Sequence, residues 1–191
     1  QKMYIQRHGE SEANEQRIYS CLKVDPPLTC EGRKQIESYL DYYSQLDIDR
    51  IISSPSTRAI QTSEIIADHL KLPISIDNKL HEVIMGDLEG EPQDDEENIK
   101  LFSTILGNWF KGDKSMSFSN GESYQDVKNR IDHVYKNYLH REKTLLVAHA
   151  TFFACLMGQQ LTYNESVFEL FLPRAGRGKY ENGKWIMIDT R

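Results

Sequence analysis

Cysteine is scarce, long apolar runs are missing, and positive charge is in deficit. The three cysteines, Cys21, Cys30 and Cys155, form neither a CxxC pair nor an even set, so neither a disulfide framework nor a thiolate metal site is expected. Reduced thiols in a cytoplasmic protein fit the way compartment governs cysteine use. No stretch approaches the ~20 apolar residues of a membrane span, and Gln1 to Gln6 lack a signal peptide's charged and apolar regions. Lys and Arg number 23 against 29 Asp and Glu, a formal net charge of −6, which argues against a broad nucleic-acid footprint. No internal repeat or low-complexity linker is found. With 39% hydrophobic residues the 191-residue chain is too apolar to be disordered, and its length suits one domain.

Short apolar clusters predict buried strands at residues 3–5, 50–52, 145–148, 168–172 and 185–188. Helical periods lie between them. Thr29 is a candidate N-cap ahead of Ile36, Leu40, Tyr43 and Leu46. Ser54-Pro55 opens a second helix, with proline at its first position, continuing through Ile66 and Leu70. Ser123 and Asp126 resemble a capping box before Val127, Ile131, Val134 and Tyr138. Residues 152–157 are apolar on every side and predict a helix buried within the fold. Asn182-Gly183 between Tyr180 and Trp185 signals a two-residue hairpin. This alternation predicts an α/β fold, a three-layer α/β/α sandwich with a mostly parallel central sheet and a final antiparallel hairpin. Residues 91–120 interrupt it with a carboxylate-rich start and then Ile99, Phe102, Leu106 and Phe110 at helical spacing. The segment reads either as a solvated helix start, whose carboxylates suit the helix dipole, or as a small inserted helical cap over a site.

Ligand sites in open α/β sheets lie beyond the carboxyl ends of the strands. There the first strand runs into Arg7-His8-Gly9-Glu10, the second into residues 53–58 ending at Arg58, and a later one into His149. Two arginines and two histidines would therefore converge. Arginine's planar fork suits phosphate, and Arg58 would sit in a helix first turn, where free N–H groups favour an anion. One histidine among six carries little by itself, and Arg-His-Gly occurs by chance. The joint occupation of strand ends carries the argument.

These residues also carry a resemblance. Residues 7–14, Arg7-His8-Gly9-Glu10-Ser11-Glu12-Ala13-Asn14, look like the signature of the histidine phosphatase superfamily in its phosphoglycerate mutase-like branch. Five further blocks follow in that family's order: Pro27-Leu28-Thr29 with Gly32 and Gln35; Ser53-Ser54-Pro55 with Arg58-Ala59 and Gln61-Thr62; Leu80-His81-Glu82 with Gly86, Glu89 and Gly90; Asn120-Gly121-Glu122-Ser123; and Val147-Ala148-His149. The resemblance covers nearly the whole chain as one domain, 1–191, with the cap at about 91–120.

It implies a phosphomonoester phosphatase acting through a covalent phosphohistidine on His8, which splits hydrolysis into two easier steps. Arg7, Arg58 and His149 would hold the equatorial phosphate oxygens, where charge must be stabilised. Asn14 would add an amide donor and Ala150 a backbone N–H. Residue chemistry alone leaves Glu82 between an exposed loop carboxylate and a proton donor. The resemblance selects the donor and acceptor of protons, with Glu10 orienting the first loop. Ala150 stands where the family often has glycine, and Gln6 where an aliphatic residue is usual. The mutase form carries a tryptophan where Ala13 stands, and a longer basic insert. The short acidic insert here therefore favours a phosphatase over a cofactor-dependent phosphoglycerate mutase, or over a weakly catalytic regulator that binds phospho-ligands.

No metal and no organic cofactor are expected, because Met85 stands where a helical zinc motif after His81-Glu82 needs histidine. The expected partner is a small phosphorylated substrate, with no nucleic acid and no membrane. Trp109, Phe110 and Phe118 are candidate walls of the leaving-group pocket. The basic loop Arg174 to Arg177 reads as reaching an anionic substrate tail or as a solvated surface loop.

Overall fold

A computed structural model describes residues 2–140, 143–159 and 167–190. The strands are β1 (Lys2–Arg7), β2 (Arg50–Ser53), β3 (Ile74–Ile76), β4 (Thr144–Ala148), β5 (Arg177–Glu181) and β6 (Lys184–Met187). They form one sheet in the order β3-β2-β4-β1-β5-β6. The first four positions in that order are joined by parallel pairing, and β5 and β6 add an antiparallel hairpin at the β1 edge. Asn182 and Gly183 both take positive φ, 55° and 78°, as a two-residue turn matched to strand twist requires.

Side chains alternate across a strand, and here both faces are apolar. Met3, Ile5, Ile52, Leu146 and Ala148 join one core, whereas Tyr4, Ile51, Leu145 and Val147 join a second. A sheet apolar on both faces must be covered twice. After the short α1 (Glu12–Gln16) in the first loop, α2 (Cys30–Glu37), α3 (Leu40–Gln45) and α4 (Thr57–Leu70) cover the second core through Ile36, Tyr43, Ala59 and Ile66. On the opposite face lie α5 (Glu96–Phe110), α6 (Tyr124–Tyr138) and α7 (Ala150–Gly158). The three-layer sandwich follows from these two apolar stripes.

Several local expectations are met and some are corrected. Thr29 caps α2 by accepting from the Gly32 N–H, and Ser123 with Asp126 completes a capping box on α6. The period that begins at Thr29 is broken at Ser38 and Tyr39 into two helices. Pro55 precedes the helix rather than opening it, because α4 begins at Thr57 behind the N-cap Ser56. Residues 168–172 are not a strand. A 3-10 turn (Val167–Leu170) is followed by extended chain, and Leu170, Phe171 and Leu172 are buried in the first core. A short apolar run does not distinguish strand from other buried chain, and the pairing edge beside β1 is taken by β5. Edge strand β3 escaped detection because its three residues bury too little to show a period.

The first loop is packed against α2 at van der Waals limit. A Cβ on Gly32 would lie 2.1 Å from the Glu10 carbonyl oxygen, and one on Gly9 would lie 2.5 Å from the Gly32 carbonyl oxygen. Gly32→Ala is therefore expected to cost about 1–3 kcal/mol through overpacking. Melting would read this as a fall of about 2–4 °C per kcal/mol. An unchanged Tm would show that the loop yields freely.

Candidate active site

The β1 strand ends by handing Arg7 and His8 to the top of the sheet, where the His8 N–H still donates to the Ala148 carbonyl, 3.1 Å. Next, the Gly9 N–H donates to Thr62 Oγ1 of α4 (3.0 Å) and the Glu10 N–H to Gln35 Oε1 of α2 (3.0 Å). The first loop is thus pinned to two helices. Ser11 and Asn14 form a capping box on α1, which orients the Asn14 side chain.

The His8 ring is buried, and its Nδ1 lies 2.7 Å from the Gly9 carbonyl oxygen. A carbonyl only accepts, so Nδ1 carries the proton and Nε2 keeps a lone pair. Arg58 Nε donates toward that Nε2 at 3.3 Å. Burial first, then the charges of Arg58 and Arg7, hold the His8 pKa well below the usual histidine value. The ring is held neutral and in one tautomer.

Two fully buried side chains back it. Arg58 donates through Nη2 to the Ser20 and Cys21 carbonyls (3.2 and 3.1 Å), while Nη1 lies 3.6 Å from Asp25 Oδ1 without a hydrogen bond. The His149 ring meets His8 edge-on, centroids 5.2 Å apart. Its Nε2 lies 2.8 Å from Ser54 Oγ, and its buried Nδ1 has no hydrogen-bond partner. The Ser56 N–H donates to Ser54 Oγ at 3.3 Å, and a serine proton given to Nε2 would leave the ring proton on Nδ1. Burial, followed by Arg58 and His8, pushes the His149 pKa well down.

Glu82 is buried rather than exposed. Its Oε1 accepts from the Val83 and Phe152 N–H groups (2.8 Å each) and Oε2 from the Thr151 N–H at 3.1 Å. The carboxyl therefore sits on the N-terminus of α7, whose N-cap is His149. Burial raises its pKa, against the pull of these N–H groups and of Arg58.

These residues meet at a cavity of about 640 Å³, where Arg7, His8, Asn14, Glu82, Ala150 and Thr151 line one end. Arg58 and His149 do not line it; both are fully buried behind His8, Arg58 hydrogen-bonded to its ring and His149 edge-on against it. Arg7 Nη1 also donates to the Leu172 carbonyl, 2.8 Å. The expected basic pair is split between the segment before β5, which carries Arg174, and the start of β5, which is Arg177. Arg174 lines the cavity and donates to Glu10 Oε2 (2.6 Å) and the Asn14 carbonyl (2.9 Å). Arg177 turns away to a bidentate pair with Asp189, under the rings of Tyr39 and Tyr42. Glu10 also accepts from Thr29 Oγ1 at 2.9 Å, consistent with orienting the loop.

The aromatic walls need correction. Trp109 and Phe118 are buried against each other in the core, and Phe110 packs on Gly158. The α5 residues that do face the cavity are Ile99, Phe102 and Ser103. Periodicity marks both stripes of α5 as apolar without saying which one meets the site.

Several positioning residues carry no signal of their own in the sequence. Glu89 Oε2 accepts from the N–H groups of Cys21, Leu22 and Val24 at 2.8–3.1 Å, shaping the loop whose carbonyls hold Arg58. Asp25 accepts from the N–H and hydroxyl of Thr57. Arg130 binds both Glu122 oxygens and the carbonyls of Lys79 and His81, clamping the segment that carries Glu82. Membership of the resembling blocks could have pointed to Ser54, Glu89 and Glu122; nothing local points to Asp25 or Arg130. Among the described residues, no three His, Cys, Asp or Glu side chains gather as a metal site.

The model of the histidine phosphatase superfamily (branch 1) matches residues 3–176. The chain belongs to that superfamily. It is 30% identical to the probable phosphoglycerate mutase GpmB of Proteus mirabilis over 97% of this chain and 87% of that one. To GpmB of Enterobacter sp. it is 31% identical over the same shares. In fold it is similar to a putative α-ribazole-5′-P phosphatase from Escherichia coli (TM-score 0.77, 21% identity, 100% of this chain and 95% of that). A mycobacterial glucosyl-3-phosphoglycerate phosphatase, in complex with VO3, matches with TM-score 0.77 at 18% identity over 98% and 97%.

Stability should report the two neutral histidines. Unfolded, each takes up a proton near about pH 6.5, whereas folded His8 and His149 resist it. The unfolded state then binds more protons, so stability falls as pH drops below about 6.5, by at most about 1.4 kcal/mol per pH unit for each ring. Glu82, its pKa raised, acts oppositely, its contribution being lost as pH rises through the folded value. Urea unfolding at pH 7.5 and 5.5 should show a lower midpoint at acid pH and a shallower dependence for His149→Gln. An unaltered dependence in that variant would mean the ring is protonated in the fold.

Proposed function

We propose that the protein is a phosphomonoester phosphatase of small substrates, with His8 as nucleophile and Glu82 as the proton donor and acceptor. The observation that carries the reading is His8 itself: a neutral ring with Nδ1 tied to the Gly9 carbonyl and the Nε2 lone pair facing Arg58 Nε at 3.3 Å, with Arg7 beside it in the lining of a cavity. Nε2 attacks phosphorus and the P–O bond to the leaving alcohol breaks, while Glu82 gives its proton to the departing oxygen. The Glu82 carboxylate then takes a proton from water, which attacks the phosphohistidine and returns the free imidazole. Arg7, Arg58, the His149 Nδ1–H, the Asn14 amide and the Ala150 N–H hold the phosphate oxygens as charge spreads over them. The raised pKa of Glu82 supports its starting protonated. Residues 91–120 serve as a cap through Ile99, Phe102 and Ser103 of α5. Neither a metal nor an organic cofactor takes part, and the free thiols of Cys21, Cys30 and Cys155 fit a cytoplasmic setting.

The names of the GpmB relatives favour a second reading, phosphoglycerate mutase. Against it stands the cavity lining, where Arg7 and Arg174 are the basic side chains and Arg174 is already paired to Glu10. An assay primed with bisphosphoglycerate decides: efficient isomerisation would replace phosphatase with mutase.

His8→Ala should abolish both turnover and an acid-labile, alkali-stable labelled phosphoenzyme; substantial activity in the purified variant would sink the assignment. Arg58→Ala should lose about 3 kcal/mol of transition-state stabilisation, roughly 10²–10³ in kcat. Arg58→Lys should recover only part of this, lacking the fork. Full activity in the lysine variant would show that the fork is unused.

Glu82→Gln should slow alkyl phosphates far more than an aryl phosphate with an acidic phenol, because only the poor leaving group needs the proton. Equal losses on both esters would remove Glu82 as the acid. Activity should survive exhaustive chelation and be inhibited by vanadate. Restoration of chelator-inactivated enzyme by a divalent ion would reject the metal-free route.

A further inference from the structure

Away from the phosphate end, the cavity wall is built from Tyr19, Met85, Ile99, Phe102, Phe168 and Phe171. The aromatic members form a continuous ladder. Tyr19 and Phe102 are 5.7 Å apart between centroids, Phe102 and Phe171 6.0 Å, and Phe171 and Phe168 6.1 Å, the last pair stacked. Ile99 and Phe168 remain 44% and 43% exposed at this wall. A folded chain leaves apolar side chains at the mouth of a cavity at a cost, and contiguous patches of that kind mark binding surfaces. The neutral polar groups there are few, Ser20, Gln93 and Ser103. The basic side chain that lines the cavity besides Arg7, Arg174, is ion-paired with Glu10 at 2.6 Å and also holds the Asn14 carbonyl. A second anionic group on the substrate would compete with Glu10 for this guanidinium, whose side chain is 43% exposed, and would gain only the modest energy of a partly solvated ion pair.

We propose that the leaving group is a ring-bearing alcohol whose ring packs on the Tyr19–Phe102–Phe171–Phe168 wall, apolar contact there supplying more of the affinity than a second anionic group on the substrate would. The inference rests on the phosphatase reading only in taking the His8 end of the cavity as the phosphate end. The ring replaces water along the ladder and covers Ile99 and Phe168. Phe102 and Ile99 come from the cap helix α5, whereas Phe168 and Phe171 precede β5, so the ring is gripped between two segments distant in sequence.

Phosphonates separate binding from turnover, because their P–C bond is not hydrolysed. Calorimetry with 3-phenylpropylphosphonate, propylphosphonate and 4-phosphonobutyrate compares ring, bare chain and carboxylate on one chain length. The phenyl compound should bind at least tenfold more tightly than the propyl compound, the scale on which apolar pockets discriminate. The carboxylate should bind no better than propyl. Phe168→Ser and Ile99→Ser, both at exposed positions, should each cut the phenyl-to-propyl ratio severalfold. Equal binding of phenyl and propyl, or tightest binding of the carboxylate, overturns the inference whatever the turnover. Ring preference that is retained while every matching phosphate ester goes unhydrolysed supports the ring site and rejects the phosphatase reading alone.

Discussion

A guanidinium with no exposed surface has to be satisfied from inside the fold, and the upper half of this molecule is arranged around that requirement. Arg58 leaves the first turn of α4 and meets the carbonyls of Ser20 and Cys21, the carboxylate of Asp25 and the ring of His8. Those carbonyls point inward because Glu89 gathers the neighbouring N–H groups of the same loop. Asp25 meanwhile caps α4 at Thr57. The charge is thereby kept in place without being neutralised by close carboxylate contact. Burial first, and then its field, hold the pKa values of His8 and His149 well below the usual histidine value.

The same economy governs the carboxyl side. Glu82 lies where the α7 N-terminus offers free N–H groups, and the dipole there favours negative charge. Burial nevertheless wins and raises its pKa. The segment that carries it is clamped from below by the Arg130–Glu122 pair and by Arg130 bonds to the Lys79 and His81 carbonyls. A buried pair of this kind adds little net stability, yet removing one partner is expensive. Its effect here is positional: it joins α6 to the segment before the carboxyl and so sets where Glu82 stands relative to α7.

Much of this could be read in advance. Apolar runs at the main strands, the caps at Thr29 and Ser123 and the Asn182-Gly183 turn are local features, decided within a few residues by backbone sterics and hydrogen bonding, and they stand in the structure as expected. The placement of Arg7, His8 and His149 at the ends of parallel strands followed from the alternation of elements. The errors lie where a local pattern has two tertiary outcomes. Residues 168–172 are as apolar as a strand, but the edge beside β1 went to the polar, alternating β5. Trp109 and Phe110 were as plausible for the pocket as Phe102, because α5 is amphipathic toward the core and also presents a second apolar stripe, and Phe118 packs edge-on against Trp109 in that core.

What the sequence determined alone was therefore the two-faced apolar sheet, the caps and turns that bound its helices, and the kinds of chemistry-bearing residue that arrive at its upper edge. Each depends on side-chain volume, hydrogen-bonding type and chain direction over short distances. Only the tertiary structure decided which atoms are committed to one another: Nδ1 of His8 to the Gly9 carbonyl, Glu82 to the α7 N–H groups, Arg174 to Glu10. Those choices join residues as much as 164 positions apart. They depend on burial and on the orientation of whole elements, which no local window of sequence contains.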